Sequence, residues 1–415
     1  MSGWYRSVPS HWHRARVKSV AERVTDGAHI SPDTENGLYD FVSTRDVKGG
    51  TIDFAGSLKT SQETYDYMVK TGCRPSQGDV LFSKDGTVGE TAIVTEAHDF
   101  VVASSLVIIT PQLSVMTPSY LAYMLGSRPA QEQAASFMRG AGLPRLSVGN
   151  LARLDVLVPP LGEQRAIADY LDRETARIDT LIGEQQRLIE MLRERRRAVA
   201  MHAIPEPTGT DSPTDKLGRT ARIGNGSTPR RDSTIYWGGG DIPWLNSSVV
   251  NESRVTRAEQ FVTPAALREC HLPIVAPGSV LVGLTGQGKT RGMATILDIE
   301  ATVNQHVAYV TPDRSRWLPE YLLWSLRAAY DELRRLSEEN GSTKGGLTCE
   351  ALKQLRLAVP LLGEQRRIAA YLDEQTAKID TLIEETERFI ELARERRSAL
   401  ITAAVTGQID VREMV

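Results

Sequence analysis

Two stretches of the chain place large apolar residues three or four positions apart with Arg and Glu between them. In the first, Ile167, Leu181 and Leu188 lie on one seven-residue series, and Leu171, Ile178, Leu192 and Val199 lie on another, four residues along. In the second, Ile368, Leu382 and Phe389 repeat one series, and Leu372, Ile379 and Leu400 the other. That a/d-like spacing predicts two long helices with a coiled-coil seam, an imperfect one because Glu174 and Gln185 interrupt it. Pro159-Pro160 cannot sit inside a helix, so the first helix is expected to start near Gly162. Glu163 then lies in the first turn, where a carboxylate complements the helix dipole. Pro205 is expected to stop this helix and Gly407 to cap the second. About 40 residues at roughly 1.5 Å each give helices about 60 Å long. Two amphipathic helices packed on their own domains would not need that length.

The rest of the chain reads as two mixed α/β blocks, residues 1–158 and 217–358, each followed by a helical segment, 159–204 and 359–415. Residues 205–216, rich in Pro, Thr and Asp, read as a linker. Strands are expected at 79–83, 91–95, 101–110, 279–284, 293–297 and 306–311, each short, β-branched and bounded by Gly, Asp or Pro. A short helix is expected after each set, at 118–126 and 319–329.

The chain is a duplication. Residues 161–198 aligned on 362–399, at an offset of 201, share 26 of 38 positions. The same offset persists upstream more faintly, in Tyr120-Leu121 against Tyr321-Leu322 and Thr110-Pro111 against Thr311-Pro312. Two copies are too few for a solenoid and point to a pseudo-two-fold molecule. Its variable blocks then do similar work on different targets. The expected class is α+β: two similar domains, each followed by a long helix, with the helices paired.

Composition narrows the function. Hydrophobic residues make up 41% and charged residues 24% of the 415, an ordinary globular balance. No run approaches the roughly 20 apolar residues of a membrane span, and the first residues lack a signal peptide's apolar core. With three scattered cysteines (Cys73, Cys270, Cys349), this points to a reducing, cytoplasmic setting. Net charge is −3, so charge alone announces no nucleic-acid partner.

Several catalytic patterns fail on inspection. Residues 283–290 (GLTGQGKT) satisfy the phosphate-loop pattern G-x-x-x-x-G-K-[ST], but a strand rather than a helix is expected next. A strand–Gly turn–strand hairpin is therefore the expectation. Asp33 with Asp46 and Lys48 fits a metal-dependent nuclease spacing, but Gly49-Gly50 breaks the strand that should carry it. The histidines have no metal-ligand spacing, and a methyltransferase's Asn/Asp-Pro-Pro-aromatic motif is absent.

Pro159-Pro160-Leu161-Gly162-Glu163-Gln164-Arg165-x-Ile167, running on to Ile178-Asp179-Thr180-Leu181-Ile182, resembles the constant region of type I restriction-modification specificity subunits. Residues 360–368 and 379–383 repeat it, with Leu361 in place of the second proline. Asp241-Ile242-Pro243-Trp244-Leu245 also resembles a stretch of that family's target-recognition domains. The resemblance implies a non-catalytic subunit with no cofactor of its own. Its two domains each read half of a split, asymmetric double-stranded DNA site. Its helices act as spacer and ruler and bind two modification (methyltransferase) subunits, and restriction subunits join to translocate and cleave DNA. The helix motifs Glu163, Gln164, Arg165 and Glu364, Gln365, Arg366 would supply subunit contacts.

Residues 1–158 hold 15 Lys and Arg against 16 Asp and Glu, and residues 205–359 hold 18 against 17. DNA contact must then come from local patches or from partner subunits that clamp the duplex. Candidate readers are polar residues on glycine-flanked loops. They are Lys84, Thr87, Arg139 and Arg145 in the first copy, and Gln287, Lys289, Thr290, Arg291, Asn304, Gln305, His306, Thr343 and Lys344 in the second. Trp237, Trp244 and Trp324 are expected in the core. The competing reading is a coiled-coil scaffold that joins two protein-binding domains. Such a scaffold gains nothing from variable blocks that diverge between near-identical helices.

Overall fold

A computed structural model describes residues 8–33, 37–138, 144–206, 213–286, 288–339 and 346–411. The chain divides into two compact units, Met1–Gln186 with Arg388–Val415, and Arg187–Glu387. The division cuts both long helices, Leu161–Ala203 and Leu362–Val405. Each unit thus holds the start of the helix that follows its own α/β block and the end of the other copy's helix. Among the described residues no helix is long and apolar enough to cross a membrane.

In the first unit a four-stranded sheet runs in the order Ala21–Asp26, Leu106–Pro111, Val80–Ser83, Thr91–Ile93. A three-stranded sheet, Leu58–Thr60, Tyr39–Val42, Phe100–Val102, lies beside it. Side chains of the central strands alternate between two clusters. Val80, Phe82, Val107 and Ile109 pack with Tyr120, Leu121 and Leu125 of helix Pro118–Gly126. Leu81, Leu106 and Ile108 pack with Val42, Phe100 and Val102 of the smaller sheet. Strands buried on both faces carry unbroken apolar runs, and these were the segments legible in the sequence.

The second unit repeats the plan. Its larger sheet runs Ala221–Asn225, Val307–Pro312, Val280–Gly283, Ala294–Leu297, Arg254–Val255, and its smaller sheet Gln260–Val262, Ile242–Leu245, Thr302–Val303. The added edge pairs parallel with Ala294–Leu297. It is tied there by a bidentate Arg254–Asp298 ion pair at 2.7 Å, whose bonds hold the Asp298 carboxyl below its usual range. Thr214–Lys216, the last residues of the Pro-rich stretch, form a strand against Arg356–Ala358.

The strand expected at 101–110 is two strands. Phe100–Val102 pairs parallel with Tyr39–Val42, and Leu106–Pro111 belongs to the larger sheet. The chain changes sheets through a turn closed by Leu106 N–H to Ala103 O at 3.0 Å. The apolar residues on either side hid that turn.

The first long helix begins directly after Pro159-Pro160, and the second ends in a Gly407 cap with φ +71°. Gly407 N–H donates to Ala404 O and Gln408 N–H to Ala403 O, the paired bonds of a Schellman motif. One seam series is where the sequence placed it, with Leu171, Ile178 and Leu192 buried. In the other, Ile167 is buried as placed, together with Ala168, but further along the buried positions lie one residue later, at Thr175 and Ile189, with Leu181 exposed and Leu188 half-buried. The second helix matches, with Ala369, Thr376 and Ile390 buried, while Leu382 and Phe389 are exposed. Small Ala and Thr allow close helix packing, and a reading weighted by side-chain size passes over them. Thr175 and Thr376 satisfy their hydroxyls on Leu171 O and Leu372 O.

In the first unit Ile401, Ala404 and Val405 share a cluster with Ile167, Leu171 and Tyr120, and Arg397 pairs with Asp179 at 2.9 Å. In the second, Ala200 packs with Ala369 and Leu372, and Arg196 grips Asp380 with bonds of 2.8 and 3.2 Å. The two pairs, Asp179–Arg397 and Asp380–Arg196, are copies of one contact at the 201-residue offset.

Candidate nucleic-acid interface

The helix motifs carry the sequence repeat. Gln164 is fully buried: its Oε1 accepts from Thr117 N–H at 2.8 Å, and its Nε2 donates to Val115 O and Pro159 O at 2.8 and 2.9 Å. Gln365 does the same with Leu318 N–H, Arg316 O and Pro360 O at 2.8, 2.7 and 2.8 Å. These amides clamp each helix to its own domain, and burial removes both from the set of subunit contacts. Glu163, half-buried, accepts from His11 Nε2 and Trp12 Nε1 at 2.9 Å. Arg165, Glu364 and Arg366 are exposed.

In the first unit, strands Val80–Ser83 and Thr91–Ile93 form a hairpin whose tip carries the candidates Lys84 and Thr87, with Asp85 and Gly86 between them. The tip is zipped to residues 144–146 by Gly86 N–H to Pro144 O at 3.1 Å and Leu146 N–H to Lys84 O at 2.8 Å. Lys84 was expected to read DNA, but its side chain is 6% exposed and its Nζ lies 3.0 Å from Asp85 and 3.9 Å from Asp26. Its ammonium is buried against two half-buried carboxylates and faces them rather than solvent. Arg145, 74% exposed, donates from Nε to Asp85 Oδ1 at 2.7 Å. Thr87 is exposed. Thr87 and Arg145 line a cleft of 330 Å³ with Thr44, Arg45, Gly86 and Ser105. Arg45 and Asp85 had no sequence signal as site residues. Arg139 lies outside the described residues.

In the second unit, the phosphate-loop-like segment is the hairpin Val280–Gly283 to Ala294–Leu297. Helix Tyr330–Glu339 braces it with residues spaced by four. Tyr330 OH donates to Lys289 O at 3.2 Å, Arg334 Nη1 donates to Gly288 O, and Glu338 pairs with Arg291 at 3.5 Å. Arg291 is therefore part of the brace, its side chain only 11% exposed, and does not reach outward. Lys289 is exposed and Thr290 half-buried. Asn304 is buried, its Oδ1 accepting from His306 N–H at 2.9 Å, so it shapes the turn. A polar chain crosses the surface there: Thr228 Oγ1 donates to Gln305 Oε1 at 2.7 Å, Gln305 Nε2 meets His306 Nε2 at 3.2 Å, and Thr285 Oγ1 meets His306 Nδ1 at 3.0 Å. Gln287, Thr343 and Lys344 lie outside the described residues. Trp244 and Trp324 are in the core as expected. Trp237 is half-buried, edge-on to Trp244, with Arg231 4.6 Å above its ring centroid.

The frames of the two sites correspond bond for bond. Leu347 N–H donates to Leu284 O at 2.9 Å as Leu146 does to Lys84, and Leu284 N–H donates to His306 O at 2.9 Å as Lys84 does to Ser105. In that frame Lys84, Asp85, Ser105 and Arg145 correspond to Leu284, Thr285, His306 and Gly346. At these corresponding positions one backbone scaffold thus presents the Asp85–Arg145 ion pair in one copy and the hydrogen-bonded Thr285 and His306 in the other.

Comparison with known proteins adds the family. The type I restriction modification DNA specificity domain matches residues 9–191 and again 214–392. The EcoR124I/EcoR124II specificity subunit of Escherichia coli is 22% identical over 181 residues, which cover 43% of this chain and 45% of that one. The MjaIX specificity subunit of Methanocaldococcus jannaschii is 30% identical over 178 residues, 42% of this chain and 39% of that one. The chain thus matches less than half the length of each of these relatives. Its fold is shared with a chain from a solved structure on complex assembly and conformational transition of the type I R-M system, with a TM-score of 0.76 at 18% identity, covering 97% and 99% of the two chains. Two matches to one family model, together spanning most of the sequence, show that this chain belongs to the type I restriction-modification DNA specificity family.

Proposed function

We propose that the chain is the specificity subunit of a type I restriction-modification complex and reads a bipartite, asymmetric site in double-stranded DNA. Residues 1–158 and 217–358 are its two readers, joined by 205–216, and 159–204 and 359–415 are its spacer helices. The observation that carries this reading is the pair of matching frames with different surface chemistry. A reader of two unlike half-sites needs a constant scaffold and variable contact residues, whereas a symmetric scaffold protein needs neither. Charges in each block nearly balance, so phosphate attraction is local and the isolated chain binds DNA weakly.

The helices support the partner assignment. Leu181, Met191, Leu382 and Leu392 are 38–58% exposed. They form two pairs at the same 201-residue offset, 181 with 382 and 191 with 392. Two copies of one set of exposed apolar residues suit two copies of one partner, the modification subunits, and Arg165, Glu364 and Arg366 near the helix starts are proposed as further, charged contacts. Those partners supply the methyl transfer, restriction subunits the cleavage, and this chain the address.

Exchange of residues 1–158 for the equivalent block of a relative tests this reading. Sequencing of methylated sites in a host that also makes the modification subunit should reveal one altered half-site and one unchanged. A simultaneous change in both would defeat the two-reader arrangement.

A further inference from the structure

We propose that Arg145, held in place by Asp85, reads a guanine in the half-site of the first unit. This rests on the DNA-reading function above and assigns one base contact within it. Arg145 is restrained twice. Its backbone neighbours are zipped to the hairpin tip by the Gly86–Pro144 and Leu146–Lys84 bonds, and its Nε is tied to Asp85 at 2.7 Å. Among the described residues its two Nη groups have no partner, so the planar fork is presented at the cleft with its orientation already fixed. Little rotamer freedom remains to be lost on binding.

Charge decides between a phosphate and a base. Lys84 and Arg145 are cations, Asp26 and Asp85 are anions, and the ion pairs at 3.9, 3.0 and 2.7 Å join these four, with the His29 ring nitrogen 2.9 Å from Asp26 at the cluster's far side. Their sum is zero, so the cluster offers a phosphate no net attraction, and Asp85 beside the fork repels one. A neutral base edge meets no such penalty. Two parallel N–H donors match the O6 and N7 acceptors of guanine, whereas adenine presents a donor at N6 and cytosine one at N4. The tip can approach that edge closely: Gly86 has φ +73°, and a Cβ there would meet nothing within 4 Å. In the second unit the corresponding Thr285 and Gly346 have no fork, so the contact belongs to one half-site only. Arg45, on the same cleft and tied loosely to Asp46 at 3.4 Å, is the cation left for the backbone.

The test compares methylated-site sequences for the full chain co-expressed with its modification subunit. The first unit's half-site is identified by the exchange of residues 1–158. Arg145→Ala should relax one guanine position of that half-site, raising methylation of sites with another base there by roughly five- to hundredfold relative to the cognate sites, the discrimination a bidentate pair carries. The other half-site should not change. Arg145→Lys keeps the charge but not the fork and should relax the same position; Asp85→Ala should relax it partly. Arg45→Ala should weaken all sites alike. Recovery of the complex by gel filtration shows that each variant has folded. Rescue by lysine, uniform loss across sites with Arg145→Ala, or a first half-site that contains no guanine on either strand overturns the assignment. Methylation by the unaltered complex without any bipartite motif defeats the DNA-reading function itself.

Discussion

Gln164 and Gln365 are buried and each satisfies three backbone groups, of which the carbonyls of Pro159 and Pro360 are bonded in the interior. Replacing Gln164 with Leu would leave the Pro159 carbonyl buried without a partner, at a cost of about 1–3 kcal/mol, and would unpair the part-exposed Thr117 N–H and Val115 carbonyl as well. Urea unfolding of the full chain should register this as a lower midpoint of the first unit's transition with unchanged slope. Gln365→Leu should do the same to the second unit. Arg165→Ala, at an exposed position, should change stability by less than about 0.5 kcal/mol yet weaken recovery of the modification subunit. Equal stability losses at 164 and 165 would contradict this division of labour. The sequence made the Leu-Gly-Glu-Gln-Arg motif plain but not its work, because two of the three bonds of Gln164 go to backbone atoms 47 and 49 positions upstream. The same distance effect hid Lys84: its charge was legible, its burial between Asp26 and Asp85 was not.

Hairpins and helices were legible as elements where local pattern determines them. The segment resembling a phosphate loop is a strand–turn–strand hairpin because β-branched residues follow its glycines, and the sequence says as much. The brace on helix Tyr330–Glu339 was not legible, since it joins Tyr330, Arg334 and Glu338 to residues more than 40 positions away. It separates two adjacent cations that sequence reasoning treats alike. Lys289→Ala should lower DNA affinity and reduce the salt dependence of binding by about one unit of slope. Arg291→Ala should instead loosen the hairpin, with increased amide hydrogen exchange at 284–293 and little change in that slope. Titrations of the assembled complex at several salt concentrations distinguish the two, and an Arg291→Ala slope as shallow as that of Lys289→Ala would return Arg291 to the DNA-contacting set. The helical seam shows the same limit at larger scale. Periodicity placed both helices and the buried Ile167, but the one-residue shift to Thr175 and Ile189 depended on how closely the helices pack.

At the scale of the molecule, the duplication was the strongest signal in the sequence, and the two units repeat one plan in detail. That each unit is completed by the end of the other copy's helix could not be read from a repeat, which gives order along the chain but not exchange between copies. This exchange sharpens a test of the helices as a ruler. Deleting residues 181–187 and 382–388, one heptad from each copy, keeps the seam in phase. It leaves Asp179, Arg397, Asp380 and Arg196 in place, so the ion pair that closes each unit survives; among the described ion pairs Arg193–Glu387 alone is lost, and Leu188 and Phe389 move into the places of Leu181 and Leu382, keeping the exposed surface apolar. Each helix shortens by roughly 10 Å at 1.5 Å per residue, equivalent to about three base pairs at roughly 3.4 Å each. Three base pairs also turn the duplex by nearly a third of its roughly 10.5-base-pair repeat, so some affinity should be lost through groove misalignment. The expected methylated motif retains both half-sites with a gap about two to four base pairs shorter. A complex that assembles and still methylates at the original spacing would show that the distance between half-sites is set elsewhere, by the readers' own contacts or by the partner subunits.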